Sequence, residues 1–226
     1  MIKLLIYDLD GTLIDSSRDI ATAVNSALRE MNLPELSVKK ISSFVSSGVM
    51  NLMNGVLKEA LRQQKPPDES IQIDSLLKRS VQLYRMHYAK HMLDETKLYP
   101  SIRTVLEYFK NRKQAIITNK PEEFSNKILS NLKIDPYFFK VIGADQKFQK
   151  KPAPESVLEI IKLAQVDANE TILIGDSGID IETGRNAKIK TVAVTYGFSS
   201  REEIGRLNPD LIVDNLAELM KYPLLS

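Results

Sequence analysis

The chain has no cysteine, two histidines, no long apolar run and almost no net charge. Without cysteine there is no disulfide, no thiolate metal site and no cysteine nucleophile, an absence that fits a reducing compartment. The two histidines, His87 and His91, stand four residues apart on an expected helix, a spacing that can hold a metal. No cysteine or third histidine joins them, and the text HYAKH lacks the glutamate of the zinc-protease motif, so they read as helix-face residues. A net charge of +2, from 31 basic and 29 acidic side chains, gives no reason to expect nucleic acid or an anionic membrane as partner. No apolar stretch approaches the roughly 20 residues that cross a bilayer. The N-terminal apolar run stops at Asp8, too soon for a secretory signal. The expectation is a cytoplasmic protein, monomer or homodimer, without repeats or low-complexity segments.

What is present is an ordinary globular composition, 43% hydrophobic and 27% charged over 226 residues, enough for one large or two smaller domains. The most informative stretch is MIKLLIYDLDGTLIDS at the start. Leu4 to Tyr7 read as a strand buried on both faces, and Gly11-Thr12 marks a sharp exit from it. Between them stand Asp8 and Asp10. Two acids at a buried strand end are costly unless a metal ion or a lysine pairs them; a lone DxD reads more simply as solvated turn carboxylates.

From Ser16 to Leu93 the pattern is helical. Asp15 or Ser16 is a candidate cap with Asp19 in the first turn, and apolar residues from Ile20 to Met31 recur at helical spacing. A second helix is expected from Ser37 through Phe44 and Val45 to the break at Ser46-Ser47-Gly48. A third runs from Leu52 to Leu61, stopped by Pro66-Pro67, and a fourth carries Ile73 to Met86. From Tyr99-Pro100 onward, helices (Ser101 to Lys110, Pro121 to Leu132, Pro154 to Ala164, Ile179 to Ala187, and one closing the chain) alternate with apolar strands at 115–117, 141–142, 171–174, 191–194 and 211–213. Strands without period-two patterning imply a parallel sheet covered on both faces. The predicted class is α/β: a Rossmann-like core at 1–15 and 95–226, with an all-helical cap domain inserted at 16–94. Ligands in such sheets bind outside the carboxyl ends of the strands. The polar signals fall there: Asp8 and Asp10, Thr118 and Asn119, Gly175 and Asp176. A segment inserted after the first strand is expected to act as a lid.

Asp8-Leu9-Asp10-Gly11-Thr12-Leu13, Thr118-Asn119, Lys151-Pro152 and Gly175-Asp176 through Asp180 resemble, in order, the four motifs of the haloacid dehalogenase superfamily. The likeness covers essentially the whole chain. DLDGTLIDS, TNKP, KPAPE, GDS and GFSSREE are closer still to phosphoglycolate phosphatases and their relatives, and Ser46-Ser47-Gly48 with Leu52 is similar to the loop and helix of their caps. The resemblance implies a Mg²⁺-dependent phosphatase acting on a small phosphorylated substrate, 2-phosphoglycolate being the first guess. In it Asp8 is the nucleophile that becomes an aspartyl-phosphate, and Asp10 is the acid and base for the leaving group; dehalogenases of the superfamily lack that second aspartate. Asp8, Asp176 and the backbone carbonyl of Asp10 are implied metal ligands, with Asp180 a ligand through water, a support behind the ligands, or simply a helix N-terminal acid. Thr118 would donate to a phosphoryl oxygen or merely cap a helix. Lys151 would bring an ammonium to Asp8 and the phosphate; it is chosen from the basic stretch Lys147, Lys150, Lys151 because Pro152 follows it, with Lys150 as the substitute. Asn119, Lys120, Ser47 and Gly48 are candidate substrate contacts, an ordinary surface lysine being the equal alternative for Lys120. The Tyr137-Phe138-Phe139 cluster reads as packing. Ala187-Lys188 and Ser101 depart from the family, which usually has glycine at positions 188 and 101. Pyrophosphatase, nucleotidase, sugar-phosphate phosphatase and phosphoglucomutase activities share the motifs. A non-catalytic regulatory protein that binds Mg²⁺ and phosphate is the reading from a different class.

Overall fold

Strand β1, Leu4–Tyr7, has all four residues buried, and a strand wrapped on both faces needs partners on both edges. The computed structural model describes residues 1–63, 73–144 and 148–222, so the expectations that rest on Pro66, Pro67 and Lys147 lie outside the described residues. In chain order, β2 (Ile14–Asp15), α1 (Ser17–Glu30), α2 (Val38–Ser42), α3 (Val49–Gln63) and α4 (Ile73–His91) follow β1. Next come β3 (Lys97–Leu98), α5 (Ile102–Tyr108), β4 (Lys113–Ile117), α6 (Glu122–Asn131), β5 (Lys140–Ile142) and α7 (Glu155–Ala164). Last are β6 (Thr171–Gly175), α8 (Gly178–Asn186), β7 (Lys190–Val194), α9 (Arg201–Gly205) and β8 (Leu211–Val213). Two compact units result: Met1–Asp15 with Lys97–Ser226, and Ser16–Thr96.

In the first unit six strands form one sheet in the order β5-β4-β1-β6-β7-β8, and every pairing in it is parallel. The chain builds outward from β1 through β4 to β5, then returns to the other side of β1 for β6, β7 and β8. Strand order therefore reverses between β1 and β6, the position at which open α/β sheets bind ligands. Leu4, Ile6, Ala115, Ile117 and Leu173 pack on one face with Val157, Ile160 and Ala164 of α7. On the other face the Tyr7 hydroxyl donates to Gln114 Oε1 (3.0 Å), and Gln114 Nε2 donates to the Leu106 carbonyl of α5 (3.0 Å). Of the aromatic cluster, Phe138 packs, meeting the Tyr7 ring edge-on at 6.1 Å, whereas Phe139 is exposed and the Tyr137 hydroxyl donates to Glu107 (3.0 Å). Helices on both faces explain why the strands carry no polar alternation.

The second unit is helical. Helix α1 buries its apolar stripe (Ile20, Ala23, Val24, Ala27) and packs chiefly against α4, with further contacts to α2 and α3. Asp19 does more than face a helix dipole: buried, it accepts from the Glu95 and Thr96 amides and the Thr96 hydroxyl at 2.7–3.1 Å, tying the last residues of the unit to its first helix. His87 pairs with Glu30 (2.6 Å) and His91 with Asp94 (2.8 Å), as helix-face residues do.

Of the two cap candidates, Ser16 holds the N-cap position of α1, and Asp15 with Ile14 forms a two-residue strand antiparallel to Lys97–Leu98. Three local expectations need correcting. The second helix is split into α2 and a 3₁₀ turn at Val45–Ser47. Ser101 lies outside α5 in the left-handed region. The closing helix, Leu216–Lys221, is 3₁₀. Among the described residues no helix is long and apolar enough to cross a membrane.

Candidate active site

Asp8 directly follows β1, and its amide still pairs with Ile174 of β6 (2.9 Å), so it leaves the sheet at the reversal of strand order. The chain then coils on itself. Leu13 and Ile14 donate to the Leu9 carbonyl, and Gly11 donates to the Ile14 carbonyl. Gly11 sits at φ 85°, and a Cβ there would overlap the Asp176 carboxylate, so both conformation and space demand glycine.

Asp176 follows β6. Its Oδ2 accepts from the Phe198 amide (2.7 Å) and its Oδ1 from the Thr12 hydroxyl (3.3 Å). The loop after β7 thus closes over this carboxylate. The Tyr196 hydroxyl donates to the Thr12 carbonyl (2.8 Å), and a Cβ at Gly197 would strike Asp176 itself.

Asp180, in the first turn of α8, has two duties. Its Oδ2 accepts from the Ser177 amide (3.1 Å) and hydroxyl (2.6 Å), completing a capping box. Its Oδ1 takes Lys151 Nζ at 2.6 Å. The helix N-terminal reading of Asp180 thus describes one of its oxygens, while the other meets Lys151. Lys151 also lies 2.8 Å from Asp8 Oδ1 as an ion pair, with no well-directed hydrogen bond to that buried oxygen.

Oxygens of Asp8, Asp176 and Asp180 fall within 4.8 Å of one another, and all three residues are buried. Three carboxylates thus face one ammonium, and the balance is negative. Burial, then the charge of Asp180, raise the Asp8 carboxyl to about 7 against the pull of Lys151. Burial and the charges of Asp180 and Asp8 hold Asp176 well above the carboxylate range. Burial opposes the charge of Lys151, but Asp180 and Asp8 outweigh it and raise its pKa. Excess buried negative charge and an oxygen-only ligand set together fit a hard divalent cation such as Mg²⁺.

Asp10 is kept apart from this cluster. Lys120 Nζ lies 2.9 Å from each of its carboxylate oxygens, and the lysine is buried, so the surface-lysine alternative is excluded. Asn119 spends its amide on the backbone of Lys151: Nδ2 donates to the carbonyl (3.2 Å), and Oδ1 accepts from the amide (3.0 Å). The Thr118 hydroxyl accepts from the Lys120 amide (3.1 Å) at the end of β4. Ser47 and Gly48 belong to the helical unit, where the Ser47 hydroxyl donates to the Phe44 carbonyl and Gly48, at φ 83°, leads into α3. Thr12, Ser177 and Gly197 stand in stretches singled out above, but neither they nor Tyr196 had been assigned a part in the site. Only Ser177 carried a local signal, its three-residue spacing from Asp180.

The model of the family Haloacid dehalogenase-like hydrolase matches residues 5–194. A phosphoglycolate phosphatase of Pseudomonas syringae pv. tomato is 33% identical over 221 residues, covering 96% of this chain and 78% of that protein. One from Aquifex aeolicus is 32% identical, covering 97% and 95%. The crystal structure of a predicted phosphoglycolate phosphatase from Haemophilus somnus superposes with a TM-score of 0.90 at 28% identity, over 97% of each chain. With the family model spanning most of the chain and relatives of this kind along nearly all of it, the protein belongs to the haloacid dehalogenase-like hydrolases and is an enzyme of their phosphatase group.

Proposed function

We propose that the enzyme hydrolyses the phosphate monoester of a small metabolite, 2-phosphoglycolate in the first instance, through an aspartyl-phosphate on Asp8. One observation carries the reading: the two acids of the DxD stretch are held in different electrostatic settings. Asp8 lies with Asp176, Asp180 and Lys151, and Asp10 lies with Lys120. The separation suits two roles: a cation bound among Asp8, Asp176 and Asp180 would keep Asp8 ionised for attack, whereas Asp10 lies outside that set of carboxylates and can exchange a proton with the leaving group.

In the first step an Asp8 oxygen attacks phosphorus and the ester P–O bond breaks, its electron pair going to the leaving oxygen. Asp10 gives that oxygen a proton. In the second, Asp10 takes a proton from water as the water oxygen attacks phosphorus, and the bond to Asp8 breaks, restoring the carboxylate. Lys151 offsets the repulsion between Asp8 and the phosphate, and the Thr118 hydroxyl would donate to a phosphoryl oxygen. Asn119 holds Lys151 in place through its backbone. Mg²⁺, held by Asp8, Asp176 and the Asp10 carbonyl with Asp180 in support, would neutralise phosphoryl charge when bound. Residues 16–94 are proposed as the specificity domain, with Ser47 and Gly48 as substrate contacts. The names of the relatives from Pseudomonas and Aquifex support 2-phosphoglycolate as the substrate.

The test is turnover of p-nitrophenyl phosphate with and without Mg²⁺, beside Asp8→Asn. Activity is expected only with metal, and the variant is expected to lose at least about 10³-fold, as removal of a covalent nucleophile does. Metal-independent turnover, or a variant near wild-type activity, overturns the mechanism. A panel of phosphorylated metabolites ranked by kcat/KM then tests the substrate, and 2-phosphoglycolate should lead it.

A further inference from the structure

We infer that Lys120 is a positioning residue for Asp10, setting the carboxylate in the orientation from which it exchanges a proton with the leaving group; this rests on the acid–base role proposed for Asp10. The geometry is specific. Lys120 Nζ sits 2.9 Å from both Asp10 oxygens, and the side chains of the two residues are only 5% and 10% exposed. An ammonium is strongly hydrated, and burying it is costly unless a partner compensates. A lysine reaching for substrate would leave its ammonium on an open surface; here it lies symmetrically across a carboxylate.

The backbone on either side of Lys120 is fixed as well. Its amide donates to the Thr118 hydroxyl (3.1 Å), and its carbonyl accepts from Ala144 (3.0 Å). Its neighbour Asn119 clamps the backbone of Lys151. The single turn between β4 and α6 therefore sets both lysines of the site: Asn119 fixes where Lys151 starts, and Lys120 fixes where Asp10 points. Without Lys120, Asp10 stands two residues from Asp8 with no ammonium across its oxygens, and is turned by repulsion from Asp8 and from the incoming phosphate. In the reaction Lys120 stays on one Asp10 oxygen while the other carries the proton to the leaving group and later accepts one from water. No bond to Lys120 is made or broken.

Positioning predicts a dependence on the leaving group. p-Nitrophenolate leaves readily without a proton, whereas an unsubstituted phenolate needs one, so faulty proton delivery harms phenyl phosphate more than p-nitrophenyl phosphate. The experiment measures kcat and KM for both esters in the wild type, Lys120→Met, Lys120→Arg, Asp10→Asn and the Lys120→Met/Asp10→Asn double variant. Lys120→Met is expected to lose at least about tenfold more kcat on phenyl than on p-nitrophenyl phosphate. Lys120→Arg, which can also span a carboxylate, should recover part of that loss. The double variant leaves no unpaired buried charge, so it folds even if Lys120→Met does not, and it should be no worse than Asp10→Asn. An equal loss on both esters in Lys120→Met, a change confined to KM, or a double variant whose losses multiply overturns the inference. Asp10→Asn separates the two levels. If its own loss is equal on both esters, the acid–base reading of Asp10 fails and the inference falls with it. If its loss is strongly ester-dependent while that of Lys120→Met is not, the inference alone fails.

Discussion

Asp176 is fully buried, and the two groups that hold its oxygens, the Phe198 amide and the Thr12 hydroxyl, are both neutral. Its charge is therefore tolerated rather than satisfied while no metal is bound. Replacing it with asparagine keeps an oxygen for the Phe198 amide and turns an NH₂ toward Thr12, whose hydroxyl can accept as well as donate. Asp176→Asn should therefore stabilise the metal-free protein by roughly 1 kcal/mol, about 2–4 °C in Tm, and abolish the rise in Tm on adding Mg²⁺. Melting curves in EDTA and in Mg²⁺ check both halves; a lower Tm in EDTA with the Mg²⁺ shift intact contradicts the assignment. At this scale the sequence showed which residue types matter and not which pairs form. Asp8 and Asp10 stand out in a strand-end DxD, and Pro152 singles out Lys151 from its basic neighbours. The Lys120–Asp10 pair spans 110 positions, and Thr12 meets Asp176 across 164, so neither contact leaves any local pattern.

The helices end in a way the glycine-poor composition makes unusual. Left-handed residues that follow them include Asn32, Lys133, Gln165 and Lys188, with φ between 52° and 57°, and none is glycine. After α8 the Lys188 amide donates to Arg185 and the Ile189 amide to Gly184; after α6 the Lys133 amide donates to Ser130 and the Ile134 amide to Leu129. Both are Schellman turns, where a β-carbon costs about 1 kcal/mol or more. The lysine at position 188 departs from the family without preventing the turn. Lys133→Gly and Lys188→Gly should each raise stability by about 0.5–1 kcal/mol, after allowing for the greater chain entropy of glycine. The two should add when combined, because they sit on different helices. Urea titrations of the two single variants and the double check this; destabilisation in either means its turn relaxes away from the left-handed form in solution. Elements of five residues or more were largely legible, because four apolar residues in a row or a helical stripe survive as pattern. The β2–β3 ribbon was not: two residues hold no period. A 3₁₀ turn and a short α-helix also share one spacing signal, which is why the closing helix was misread.

For the whole molecule, the strand order determines where charge accumulates. Because it reverses between β1 and β6, Asp8 and Asp176 leave neighbouring strands side by side, and burial makes their proximity costly. Sheet and helix layers were legible from unalternated strands; the order was not, since apolar runs do not say which neighbours they pair with. The order has a consequence for pH. The Asp8 carboxyl lies near 7 in the folded protein and near 3.8 when unfolded, and Asp176 is shifted the same way. Between those values the folded state holds protons that the unfolded state has released, so the site's contribution to stability falls as pH rises from about 4 to 7. Below that window both states are protonated; above it Asp8's share of the penalty is complete, while Asp176 goes on contributing as pH rises through its own raised pKa. A divalent cation reverses the trend, because it displaces those protons and its apparent affinity grows as the carboxyls ionise. The difference in Tm between Mg²⁺ and EDTA should therefore widen from pH 5 to pH 7. At a hundredfold excess of Mg²⁺ over its dissociation constant it should reach roughly 5–10 °C, from about 2.7 kcal/mol of binding linkage. In Asp8→Asn one of the titrating carboxyls is gone, so the same difference should be smaller and change less with pH. A wild-type difference that stays constant from pH 5 to pH 8 would show that Mg²⁺ does not bind at these carboxylates.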